Sequence, residues 1–112
     1  MKLIFTTKGA DWESSMDPRF GRTQFFFVYD EGNKEIQTHD NTAIENEAHG
    51  AGPKTAQKLS EFDAQVLITG NGPGGNAARV LQSIGTEIYV GAGGMTVREA
   101  YDAYKNGELT KF

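Results

Sequence analysis

The stretch Val66-Leu67-Ile68-Thr69-Gly70-Asn71-Gly72-Pro73-Gly74-Gly75-Asn76-Ala77-Ala78-Arg79-Val80-Leu81 decides how the chain is read. A short apolar run stops in four glycines within six residues, and a helical pattern follows at once. Strand, glycine turn and helix in that order are the grammar of a parallel α/β sheet. The turn places backbone N–H groups and a helix N-terminus at the carboxyl edge of the sheet, where anionic ligands bind.

Working outward, the same alternation recurs. Upstream, residues 65–69 form an interior strand, and a helix entered at Pro53 precedes it. Proline fits a first helical position because its missing N–H costs nothing there. Ala56, Leu59 and Phe62 give that helix one apolar stripe. Downstream, the helix on Ala77, Val80, Leu81 and Ile84 runs to about Ser83, and Gly85 stops it. Residues 86–90 form a last strand ending in Gly91-Ala92-Gly93-Gly94. Thr96-Val97-Arg98-Glu99 is a capping box. It opens a helix that buries Val97, Ala100, Tyr101 and Tyr104 and ends at Asn106-Gly107.

Towards the N-terminus, residues 2–6 are a strand with Leu3, Ile4 and Phe5. Residues 7–22 turn polar, a length uncommon for a plain connector. Trp12 there reads as a packing anchor, with an aromatic lid as the other reading. Residues 24–30 carry five consecutive apolar positions from Phe25 to Tyr29, so both faces are covered and the strand lies inside the sheet. The turn Glu31-Gly32-Asn33 leads to residues 34–39. Ile36 is their only aliphatic residue, which suits the edge of a hairpin, and His39 is expected to face solvent.

The order β-β-β-α-β-α-β-α with right-handed crossovers leaves few topologies. The simplest is a five-stranded mixed sheet in order 3-2-1-4-5, strand 2 antiparallel, with helices on both faces. This is a ribonuclease H-like α/β motif in one domain spanning residues 1–112. The loop after strand 1 and the turns at 49–52, 70–75 and 91–94 then open on one edge. The order reverses between strands 1 and 4, where open α/β sheets bind ligands.

Composition narrows the function. A formal charge of −4 argues against a nucleic-acid binder. No run approaches the ~18 apolar residues of a membrane span. The absence of cysteine excludes disulfides and thiolate metal sites and fits a cytoplasmic protein. No element shows a surplus apolar face, so a monomer is expected.

Gly70, Gly72 and Gly75 match G-x-G-x-x-G. A dinucleotide site, however, needs an acid about 20 residues on, where this chain has Tyr89-Val90-Gly91. No Walker lysine follows either. Strand 1 carries no acid, which argues against a two-metal nuclease. No Ser/His/Asp spacing is present, so the chain reads as a binding module and not an enzyme. Arg19-Phe20-Gly21-Arg22 brings two guanidinium groups and turn amides to the glycine-rich edge, a chemistry that holds anions. The plainer reading is two surface charges flanking a packed Phe20. His49, before Gly50 and Gly52, stabilises a turn or contacts a ligand. Two histidines without cysteine cannot close a structural zinc site. The candidate ligand-binding residues are Arg19, Phe20, Gly21, Arg22, His49, Gly50, Gly52, Asn71, Gly72, Gly74, Gly75 and Gly93. His49 is the one candidate for a metal ligand.

Taken together, the motifs resemble the dinitrogenase iron-molybdenum cofactor biosynthesis family. They are Asp17-Pro18-Arg19-Phe20-Gly21-Arg22, His49-Gly50-Ala51-Gly52-Pro53-Lys54, Ile68-Thr69-Gly70-Asn71-Gly72-Pro73, Ile88-Tyr89-Val90-Gly91, Thr96-Val97-Arg98-Glu99-Ala100 and Asn106-Gly107-Glu108-Leu109. The resemblance covers almost the whole chain. It implies the ribonuclease H-like fold and non-enzymatic binding or carriage of a metal–sulfur cluster containing molybdenum or iron. Donor and acceptor proteins would supply and receive that cluster. Many members carry histidine where this chain has Arg19, and that histidine is a favoured cluster ligand. Here coordination is left to His49 or a carboxylate, and an anionic cluster could be held by Arg19, Arg22 and turn amides without a protein–metal bond. The rival reading is a regulatory module that binds a small anion or nucleotide at the same edge.

Overall fold

A computed structural model describes residues 1–42 and 51–112, and of residues 51–54 it describes the backbone only. Strands β1 (Lys2–Thr7), β2 (Phe25–Asp30) and β3 (Glu35–Asp40) are followed by helix α1 (Ala51–Ser60), strand β4 (Val66–Ile68) and helix α2 (Gly75–Ser83). Strand β5 (Glu87–Val90), helix α3 (Val97–Lys105) and strand β6 (Thr110–Lys111) complete the chain. The sheet order is β3-β2-β1-β4-β5-β6. Strand β2 is antiparallel to both its neighbours, and β1, β4 and β5 run parallel, so their carboxyl ends share one edge.

Strand alternation sorts the core into two layers. Ile4, Phe26, Val28, Leu67 and Ile88 face Ala56 and Leu59 of α1 and Ala77, Ala78 and Leu81 of α2. Leu3, Phe5, Phe27, Val66 and Ile68 point the other way, towards Val97 and Ala100 of α3. Each fully buried Phe, Leu or Ile contributes roughly 1.5–3 kcal/mol relative to exposure. Successive side chains alternate between faces, so one register shift would empty both layers. Trp12 anchors its loop on the α3 face, edge-on to Phe27 and Tyr29 at 4.9 Å each and to Tyr101 at 5.7 Å.

Three readings are corrected. The sheet has six strands where five are expected: after α3 the chain returns and Thr110–Lys111 pairs antiparallel with Tyr89 and Val90. Two residues are too few to show a period, which is why the strand escapes a pattern reading. Helix α1 already includes Ala51 and Gly52, so Pro53 is not its first residue. His39 is half-buried, its ring edge-on to Phe62 at 5.5 Å, because the chain after α1 folds over the edge strand.

Candidate anion-binding site

The loop between β1 and β2 is tied to the strand ends by a buried polar set. Asp17 N–H donates to Thr6 O at 2.8 Å, Thr6 Oγ1 donates to Asp17 O at 3.0 Å, and the Thr6 and Thr69 hydroxyls meet at 2.8 Å. Phe20, almost fully buried, plugs into the α1/α2 core layer. Its neighbours Arg19, Gly21 and Arg22 are therefore held at the edge. Thr55 Oγ1 of α1 donates to Gly21 O at 2.8 Å, and Asn41 Nδ2 donates to Thr23 O at 3.0 Å. Arg19 forms a two-pronged ion pair with the fully buried Asp17, Nε to Oδ1 and Nη2 to Oδ2 at 3.0 Å each.

The glycine turn meets that loop at close quarters. A Cβ on Gly70 would lie 2.6 Å from Pro18 Cα and 3.0 Å from Gly93 Cα, so only glycine allows the three segments to touch. Asn71 N–H donates to Pro18 O at 2.8 Å, and Gly91 N–H donates to Gly70 O at 3.0 Å. A Cβ on Gly72 would collide with the Phe112 ring, which β6 delivers there.

Beyond the turn, α2 starts without a cap. Gly74 takes the N-cap position with φ −64° and ψ 167°, no side chain caps the helix, and its first turn contains no acid. Ala78 N–H reaches Gly74 O at 2.9 Å. The N–H groups of Gly75, Asn76 and Ala77 have no protein partner among the described residues. A Cβ on Gly74 or Gly75 would meet nothing within 4 Å. At neither position does packing or a positive φ call for glycine.

These parts enclose an open cleft of about 440 Å³ lined by Arg19, Phe20, Gly21, Arg22 and residues 72–77. Two arginines line the cleft together with a helix N-terminus whose first N–H groups have no partner among the described residues, an arrangement suited to negative charge. The described residues hold no group of three or more His, Cys, Asp or Glu side chains able to hold a metal ion. No described helix is long and apolar enough to cross a membrane. Displaced pKa values are found on the α3 face and at the end of β3. A Tyr101 hydrogen bond lowers Glu31, the same bond raises Tyr101, and the Thr42 N–H lowers Asp40.

Of the residues singled out in the sequence, Arg19, Phe20, Gly21, Arg22, Gly72, Gly74 and Gly75 come together in the cleft lining. Asn71 and Gly93 lie beside it, Asn71 bonded to Pro18 and Gly93 packed on Gly70. Gly52 is in α1, and His49 and Gly50 lie outside the described residues. Asp17, Pro73, Asn76 and Ala77 belong to the same construction, and the sequence reading passes over them. The aspartate at the head of Asp17-Pro18-Arg19 was the available signal, since an acid two residues before an arginine can turn back on it.

With the geometry in hand, comparison with known proteins identifies the lineage. The family model for dinitrogenase iron-molybdenum cofactor matches residues 1–107. The chain belongs to that family. The apo form of the orange protein from Desulfovibrio gigas superposes with a TM-score of 0.90 at 34% identity, covering 99% of this chain and 92% of that one. A Thermotoga structure assigned to NifB and the DUF35 family gives a TM-score of 0.83 at 34% identity, covering 98% and 91%. No curated protein sequence matches. Family membership supports a role connected with a metal cofactor.

Proposed function

We propose that the protein binds and carries an anionic metal–sulfur cluster of molybdenum and/or iron, or its precursor, in the cleft between the Arg19–Arg22 loop and the N-terminus of α2. The observation that carries the reading is the bare start of α2. Among the described residues, Gly74 and Gly75 leave open the space a side chain would take, and three N–H groups have no partner. A ligand is the group that would use both. Among the described residues the lining offers arginine, asparagine and backbone N–H donors and no metal-ligating side chain. Capture is therefore by charge and hydrogen bonds to the outer atoms of the cluster. The protein performs no chemistry of its own on the cargo, and cluster donor and acceptor proteins act before and after it.

The test is incubation of the purified protein with tetrathiomolybdate, alone and with copper or iron salts. A coloured, stoichiometric complex that survives gel filtration is expected. Arg19→Ala and Arg22→Ala are each expected to weaken it about tenfold, or roughly 1.4 kcal/mol, with the fold intact. No retained colour, together with thermal stabilisation by nucleotides or phosphate, would instead establish a small-anion or nucleotide module at the same edge. A double variant that binds as well as the parent would move the site elsewhere.

A further inference from the structure

We propose that Asp17 is the positioning residue of this cleft: its buried carboxylate sets the plane in which the Arg19 guanidinium meets an anion. The inference rests on the reading of the cleft as an anion site. Asp17 has no exposed surface, and a lone carboxylate in that position would be costly. This one is fully engaged. Oδ1 accepts the Arg19 backbone N–H and Nε, each at 3.0 Å, and Oδ2 accepts Nη2 at 3.0 Å and the Gln24 N–H at 3.1 Å. Four donors meet the roughly four lone-pair sites of a carboxylate.

Two consequences follow from that geometry. The paired bonds to Nε and Nη2 fix the guanidinium as a planar fork, which a single bond would leave free to swing. The bond to Gln24 N–H closes the loop on itself, and the backbone of Asp17 is anchored to Thr6 at the end of β1. Strand, loop and guanidinium are thereby one rigid unit. Arg19 keeps a 42% exposed side chain and lines the cleft while it is held.

Charge and positioning make opposite demands here. By Coulomb's law alone, a carboxylate beside Arg19 repels an anion in the cleft, so removing its charge should tighten binding. If Asp17 acts by orienting Arg19, removing that charge should weaken binding although the site becomes more positive.

The experiment compares the parent, Asp17→Asn and Arg19→Lys. Tetrathiomolybdate titrations read affinity, near-UV circular dichroism reads the fold, and nitrogen-15 NMR without ligand follows exchange of the Arg19 Nε–H. The parent should show a sharp, slowly exchanging Nε–H, as held groups do. Asp17→Asn should lose that protection and bind about tenfold more weakly, and Arg19→Lys, which keeps the charge and loses the fork, should fall by a similar factor. An Asp17→Asn protein that binds as tightly as the parent or more tightly would overturn the proposal, as would an Arg19 Nε–H that exchanges freely in the parent. If Asp17→Asn does not fold, Arg19→Lys and the parent spectrum still decide, because unweakened binding by the lysine variant contradicts a positioning role. If the parent takes up no tetrathiomolybdate, the cluster reading falls. The Nε–H exchange then still shows whether Asp17 holds Arg19.

Discussion

At the N-terminus of α3, Thr96 Oγ1 accepts the Glu99 N–H at 3.2 Å and the Glu99 carboxylate accepts the Thr96 N–H at 2.9 Å. At the N-terminus of α2, Gly74 supplies no side chain and no acid follows. Both helices start at the same edge of the sheet, one after β5 and one after β4. In α3 the next two donors are also taken, Val97 N–H by Ser14 O and Arg98 N–H by Trp12 O, at 2.9 Å each. The loop that makes those bonds is itself fixed by Trp12 among Phe5, Phe27, Tyr29 and Tyr101. One helix start is closed by the protein, and the other is left open. A capping side chain stabilises by about 1 kcal/mol, so α3 keeps that stabilisation and α2 forgoes it where the cleft lies.

The largest expected effect comes from making α2 begin as α3 does. Gly74→Asp places a capping carboxylate where the free N–H groups point. Two unit negative charges about 4 Å apart at an effective dielectric near 20 repel by about 4 kcal/mol. Tetrathiomolybdate affinity should therefore fall at least a hundredfold, while thermal unfolding shows a protein as stable as the parent or about 1 kcal/mol more so. A variant that kept its affinity would place the anion away from α2.

Thr96→Ala reverses the comparison by opening the closed helix. It should cost about 1 kcal/mol in denaturant unfolding and leave tetrathiomolybdate binding unchanged. A loss of binding would mean that the two helix starts are coupled through the Gly70–Gly93 contact.

The smallest effect lies at the far end of α3. Glu31 accepts a hydrogen bond from Tyr101 Oη and one from Lys105 Nζ at 3.0 Å, and its pKa is held below the usual 4.5, by Tyr101 first. A lowered folded-state pKa gives stability that is fully present above the unfolded value and lost as pH falls through the folded one. Tyr101→Phe should cost roughly 1 kcal/mol or less at neutral pH and flatten the fall in stability on the acid side of pH 4.5. Equilibrium unfolding at a series of pH values would read it, and an unchanged acid limb would show that Lys105 alone sets the shift.

The contrast between the two helix starts was half legible in the sequence. Thr96 and Glu99 announce their cap because its two side chains sit at a fixed spacing, and Gly74-Gly75 announce an absence. Strand order through β5 followed from the hairpin and the crossover rule. Three things did not follow, each because it depends on where distant segments meet. Asp17 reads as an ordinary turn acid until its loop folds onto β1 and buries it. Pro73, Asn76 and Ala77 reach the cleft only because α2 starts beside the Arg19–Arg22 loop. Strand β6 exists because Tyr89 and Val90 offer an open edge to the returning chain, and nothing in Thr110-Lys111 alone says so.

Trp12 is the only tryptophan in the chain, and it sits across the sheet from the cleft, within the aromatic cluster of the α3 face. Its indole is therefore held by ring packing on the face of the sheet away from the cleft. A cargo that absorbs in the emission band would drain the indole's light by energy transfer without touching the ring. If the cleft takes up the proposed cargo, the molecule contains its own optical gauge of loading.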